Sequence, residues 1–229
     1  MQKVMCGMAI ASLFAAAVGL NANPGLALPA SHYRELGLRY RQQGQFPEAI
    51  AAFQTSVELE PDNLAGRVTL GWTLHLADRD REAAIALQET LQRDPFYVPA
   101  LNAAGIVYLV NDDWLAAALT HTWAILLSPD NEIAYYNLSL ACQQMQQTDC
   151  AIATAQTAAK LEPENPHPLV ALAIAQQQQG THAIAHRTYQ QAVELDTRYR
   201  NRDFLNGLTA SGFSPQQIEQ AKQLLDASP

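Results

Sequence analysis

Six histidines and three cysteines are the side chains best suited to hold a metal or attack a substrate. His182 and His186 stand four residues apart, a spacing that sets two imidazoles on one face of a helix. A metal centre needs at least one further convergent ligand, and the pattern offers none, so a metal- or small-ligand-handling role for this pair is the minor reading. His32, His75, His121 and His167 are scattered and read as structural or solvated. The chain has no phosphate-cradling G-x4-G-K-[ST] run, no G-x-S-x-G elbow, no H-E-x-x-H and no C-x2-C pair. The Asn137-Leu138-Ser139 sequon lies inside an expected helix and is discounted. No catalytic residue, metal site or cofactor is therefore expected.

The elements that carry these residues repeat. Pro61, Pro95, Pro129 and Pro163 fall 34 residues apart, and Ala49, Ala83, Ala117, Ala151 and Ala185 keep the same step. The registers also align Leu36, Leu70 and Leu138, then Gly37, Gly71 and Gly105, then Tyr40 and Tyr108. This resembles the tetratricopeptide repeat, a helix–turn–helix unit with the signature W-x2-L-G-x2-Y, A-x3-F, P. Five contiguous units follow: 30–63, 64–97, 98–131, 132–165 and 166–199. The first keeps Tyr33, Leu36, Gly37, Tyr40, Ala49, Phe53 and Pro61, whereas Ser139 and Ala173 replace the glycine later and Thr197 replaces the last proline. The resemblance implies an all-α fold, a right-handed superhelical solenoid in which each repeat buries its neighbour's apolar face. The glycine of each first helix is expected to receive the alanine of the second.

Helices are expected near 31–43 and 46–59, 64–77 and 80–93, 98–110 and 113–127, 132–145 and 148–161, and 167–179 and 182–195. Gly44 and Gly180 read as glycines just past a helix end, and Asn63, Asn131 and Asn165 as caps of the next helix. Residues 200–229 lose the register. Within them Ser214-Pro215-Gln216-Gln217 reads as a capping box opening a last helix, a lid over the end of the stack. The glutamines, including Gln143, Gln144 and the run Gln176 to Gln179, are good helix formers expected on exposed faces. Their abundance is similar to that of cyanobacterial members of the family.

Residues 1–27 follow different physics. Lys3 precedes an uncharged Ala- and Gly-rich run from Val4 to Leu20, then a polar, helix-breaking stretch and small residues before Leu28, the layout of a signal peptide cleaved after Ala27. An uncleaved anchor is the competing reading, although the run falls short of the roughly 20 apolar residues that span a bilayer. Export to a periplasm or thylakoid lumen would permit a disulfide between Cys142 and Cys150, which flank the turn of unit four almost symmetrically. Two small buried thiols at helix-packing positions are the alternative.

The formal charge of -8 disfavours a nucleic-acid partner, because phosphate binding needs a cationic surface. The resemblance implies that first helices line a concave groove for a protein or peptide partner. Carried onto this chain, the lining is Arg34, Leu38 and Arg41, then Val68, Trp72, His75 and Leu76, then Asn102, Ile106, Leu109 and Val110. It continues with Ile133, Tyr136, Leu140 and Gln143, and ends with Val170, Ile174 and Gln177. Members that clamp a chaperone's terminal carboxylate use Lys and Asn where this chain has Leu38 and Thr69, so that role is not expected. The apolar centre suits an amphipathic helix or hydrophobic peptide. Trp72 and Tyr136 are expected to project together as its anchors. The implied role is a non-enzymatic scaffold in assembly of an envelope or membrane complex.

Overall fold

The computed structural model describes residues 28–227, and the expected signal peptide lies outside them. Five antiparallel pairs run in order: α1 (Ala30–Gln42) with α2 (Phe46–Leu59), α3 (Leu64–Leu76) with α4 (Asp80–Arg93), and α5 (Val98–Val110) with α6 (Trp114–Leu127). α7 (Glu132–Gln144) with α8 (Thr148–Leu161) and α9 (Pro166–Gln178) with α10 (His182–Leu195) complete them. Two 3-10 turns and the short α11 (Arg202–Asn206) lead to α12 (Pro215–Asp226). Each helix packs on the next, and α3, α5, α7 and α9 also pack on one another in succession, which makes one stacked solenoid. No described helix is long and apolar enough to cross a membrane.

Local chemistry accounts for the boundaries. Asn63, Asn131 and Asn165 accept backbone N–H bonds at the starts of α3, α7 and α9, as expected from sequence, and Asp113 does the same for α6. Gly44 and Gly180 turn the chain with φ of 72° and 86°. The same turn in the three middle units is made by Asp78, Asp112 and Gln146, with φ of 57°, 60° and 59°. The register thus enforces a left-handed residue in every unit, even where no glycine is present.

Close helix approach is built differently from the expectation. The five register alanines are fully buried, but they are not what fills the space above the glycines. A Cβ on Gly37 would lie 2.8 Å from the Phe53 ring, on Gly71 2.7 Å from Leu87, and on Gly105 2.5 Å from the His121 ring. The residue one helical turn beyond the alanine therefore sits on the glycine, and large side chains there require its missing Cβ. In unit four the sizes reverse: Ser139 takes the glycine's place and Ala155 the large residue's.

Cys142 and Cys150 form a disulfide, with Cα atoms 5.9 Å apart, that ties the end of α7 to the start of α8. The glutamines also depart from expectation. Gln143, Gln176 and Gln217 are buried. Gln217 donates to Gln143 Oε1 at 3.0 Å, Gln143 donates to the Ala171 carbonyl at 3.0 Å, and Gln144 donates to Ser214 Oγ at 2.5 Å. An amide side chain both donates and accepts, so these residues join α7 and α9 to α12 without leaving charges in the interior.

Candidate functional site: a half-filled groove

The first helices present a concave surface, and the segment after the repeats lies across its distal half. Tyr136 donates its hydroxyl to the Ser211 carbonyl at 2.6 Å and meets the Phe213 ring edge-on at 6.0 Å. A Cβ on Gly212 would contact Leu140, Asn137 and Leu109 within 4 Å. Phe213 itself is buried, as are Ile218, Ala221 and Leu224 of α12, which packs on α9 and α10. The capping box at the start of α12 is formed as expected: Ser214 N–H donates to Gln217 Oε1 and Gln217 N–H to Ser214 Oγ. His167 joins the seal, hydrogen-bonded to the Tyr199 hydroxyl and, at 3.3 Å, to Ser211 Oγ. Burial pushes its pKa down, so the neutral ring is favoured.

The expected groove residues therefore divide. Leu140, Gln143, Val170 and Ile174 are buried and form no open lining, while Leu109 and Tyr136, also buried, only border the cleft that remains. Gln177 reaches toward Gln223 of α12. Tyr136, expected to anchor a partner beside Trp72, instead anchors the seal. The α12 lid covers not only the end of the stack but part of its inner face, because the irregular stretch 201–214 carries Phe213 back to α7.

The proximal half remains open. A cleft of about 730 Å³ is lined by Trp72, His75 and Leu76 from α3, by Ile106, Leu109 and Val110 from α5, and by residues 209–215 on its distal wall. Leu76 and Val110 are 41% and 40% exposed, unusual for aliphatic side chains on helix faces turned inward. Trp72 lies against His75 with ring centroids 5.0 Å apart and planes tilted by 47°, and His75 Nδ1 meets Asp80 Oδ1 at 2.5 Å, so the indole is held by a braced neighbour. Asp78, Asp80 and Asp112 stand on the rim and no Lys or Arg lines it. Two of these, Asp78 and Asp112, are the left-handed turn residues, so the register that shapes the turn also aims carboxylates at the cleft.

The remaining expected positions are structural or peripheral. Arg34 pairs at 2.6 Å with Glu60, the residue just past the end of α2. Arg41 lies over the Phe53 ring and reaches Thr73 Oγ1 at 3.4 Å. Asn102 exchanges two amide hydrogen bonds with Asn131. Val68 is half-buried, while Leu38 and Ile133 are exposed and do not line the cleft. No group of three His, Cys, Asp or Glu able to hold a metal occurs among the described residues, and His182 and His186 gain no third ligand.

Sequence reasoning could not see the seal, since it depends on where an irregular segment returns. The one signal was Phe213, an aromatic immediately before the capping box.

Two profiles of the Tetratricopeptide repeat match, over residues 34–98 and 133–165. A search of curated proteins found no match. Among solved structures, a MamA protein superposes with a TM-score of 0.64 at 23% identity, covering 74% of this chain and 92% of that one. MamA residues 41 to the end from Desulfovibrio magneticus RS-1 superposes with a TM-score of 0.67 at 22% identity, covering 73% and 95%. At these identities the likeness concerns the fold. The phased register, the stacked helix pairs and the two profile matches agree: the chain is a member of the tetratricopeptide repeat family.

Proposed function

We propose that the chain is a non-enzymatic scaffold that holds an apolar or amphipathic segment of a protein partner in the open proximal half of its groove. The observation that carries this reading is the cleft itself: exposed Leu76 and Val110 beside Trp72 and Ile106, ringed by three carboxylates. An apolar floor with an acidic rim is complementary to a helix with one apolar face and flanking Lys or Arg. The chain's own segment 209–215 supplies the end wall, which sets how much of a partner the groove accepts.

With residues 1–27 read as an export signal, we propose that this scaffold works in a periplasm or thylakoid lumen, in assembly of an envelope or membrane complex. The disulfide supports that reading, because such bonds persist in oxidising compartments.

The test is partner capture from native envelope extract by wild type and Trp72→Ala. Aromatic anchors at interfaces contribute about 2 kcal/mol or more, so affinity should fall about thirtyfold, with helicity and melting unchanged. Undiminished capture by a folded Trp72→Ala protein would remove the groove from the interaction. A metal or pigment bound stoichiometrically to purified protein would favour the ligand-handling alternative.

A further inference from the structure

The outer helices provide their own comparison, since the 34-residue register places the same four positions of each on one face, all of them exposed except half-buried Gln190. In α2 these are Pro47, Ala51, Gln54 and Glu58; in α4, Arg81, Ile85, Gln88 and Gln92; in α8, Asp149, Ala153, Gln156 and Lys160; in α10, Ala183, Arg187, Gln190 and Glu194. Those are the compositions of solvated faces. In α6 the set is Leu115, Leu119, Thr122 and Leu126, and the three leucines are 63%, 64% and 66% exposed. The spacing of four, three and four is that of a coiled-coil seam. α6 contains no Asp, Glu, Lys or Arg, and Trp123 and Phe96 extend its apolar surface, the indole N–H tied to the Pro95 carbonyl at 3.1 Å.

We propose that this face is a second interaction surface, where α6 packs antiparallel on α6 of a second copy of the chain about a two-fold axis. Two observations select a second copy over another occupant. First, the seam is self-complementary. A two-fold midway between Leu119 and Thr122 sets Leu115 on Leu126 of the second copy and Leu119 on its Thr122, and each contact occurs twice, as an isologous interface requires. Second, the charges on the neighbouring helix fit this sense. The same axis brings exposed Asp149 of α8 opposite Lys160 of the second copy, also twice, and no like-charged pair arises at the α4 positions. A parallel arrangement would set Asp149 against Arg81 of the second copy instead, so a charge swap between positions 149 and 160 restores association only in the antiparallel sense. For a chain of charge -8, a contact centred on an uncharged helix also avoids most of the repulsion between copies.

The convex contact lies on the opposite side of each unit from the groove, so a dimer would present two open clefts. An α6 pair with flanking aromatics and the α8 charge pairs is a small contact beside the roughly 1,200–2,000 Å² of a standard stable interface, so weak, concentration-dependent association is expected.

Sedimentation equilibrium of the purified full chain, a 25.1 kDa monomer, tests this across about 1–200 μM. The mass should approach twice the monomer. Leu119→Glu should weaken association at least tenfold, and Thr122→Leu, which completes the seam, should tighten it about tenfold. Asp149→Lys should weaken association about threefold or more, and adding Lys160→Asp should restore it. All four substitutions are at exposed positions, and unchanged melting confirms folding. The proposal is overturned by a monomer throughout the range, by a dimer indifferent to Leu119→Glu, or by failure of the charge swap to restore association. It is equally overturned if the chain stays monomeric while Leu119→Glu abolishes its sedimentation with neutral phosphatidylcholine vesicles, which would assign the face to a bilayer.

Discussion

His121 should make the protein acid-sensitive. Its side chain is fully buried, with the ring against Gly105, where even a Cβ would lie 2.5 Å away. Burial pushes its pKa down from 6.5 to about 4. A base with a depressed folded-state pKa takes up its proton more readily when unfolded, so native stability is undiminished above pH 6.5 and falls as the pH drops toward 4. The interval of about 2.5 units at 1.36 kcal/mol each gives a loss of about 3 kcal/mol, most of it reached by pH 4.5. Leu87 fills the equivalent place against Gly71, so His121→Leu supplies an apolar side chain that this register already accommodates. Urea unfolding of both proteins at pH 7.5 and pH 4.5 measures the effect as a difference of differences. The variant should gain about 2–3 kcal/mol relative to wild type on going to pH 4.5. Two other groups act in the same window. His167, lowered by burial, acts in the same direction. Glu132, raised to about 7 by burial and by Glu162, acts in the opposite one, contributing stability below its unfolded value of 4.5 that is lost as the pH rises through 7. Both are present in both proteins and cancel in the comparison. Parallel pH profiles for wild type and His121→Leu would refute the argument.

Tyr136→Phe should lose the hydrogen bond to Ser211 and cost about 1 kcal/mol in urea unfolding, whereas Tyr136→Ala should cost about 3–5 kcal/mol by opening a cavity under Phe213; a near-neutral Tyr136→Ala would mean that the seal is not formed in solution. Gln146, left-handed at φ 59°, should gain up to about 1 kcal/mol of stability as Gln146→Gly, read as a raised melting temperature. Thiol labelling of denatured, unreduced protein should find Cys142 and Cys150 both blocked, and the double Ala variant should lose about 2 kcal/mol, given a loop of sequence separation 8; free labelling of both would remove the bridge.

The repeat was legible because a solenoid uses the same contacts in each unit, so periodicity in sequence is periodicity in space. Ten helices lie within a residue or two of the boundaries expected from Pro, Asn and Gly, and the left-handed turns at Gly44 and Gly180 follow from the absence of a Cβ. These are local properties, carried by neighbours in the chain. The turns at Asp78, Asp112 and Gln146 could have been read from the same register, since their left-handed backbone is demanded by position; residue type tolerates it at the two aspartates but not at Gln146.

What lies beyond the repeats required the tertiary structure. Tyr136, Leu140 and Ile174 carry the register of a groove lining, and nothing in their own helices distinguishes them from Leu76, Ile106 and Val110, which remain at an open cleft. The difference is made by Phe213 and Gln217, more than 70 residues from Tyr136 and Gln143. A contact at that separation leaves no periodic trace, and the path of an irregular segment is set by packing rather than local propensity. Glutamines that look solvated in sequence become interior fasteners for the same reason. Gln143 donates within the stack to the Ala171 carbonyl, but its Oε1 accepts from Gln217 only once α12 is in place. The sequence by itself thus determined the stack and the positions able to face a partner. Which of those positions stay open was decided in three dimensions, because burial depends on the whole chain's return path and not on the register of any one helix.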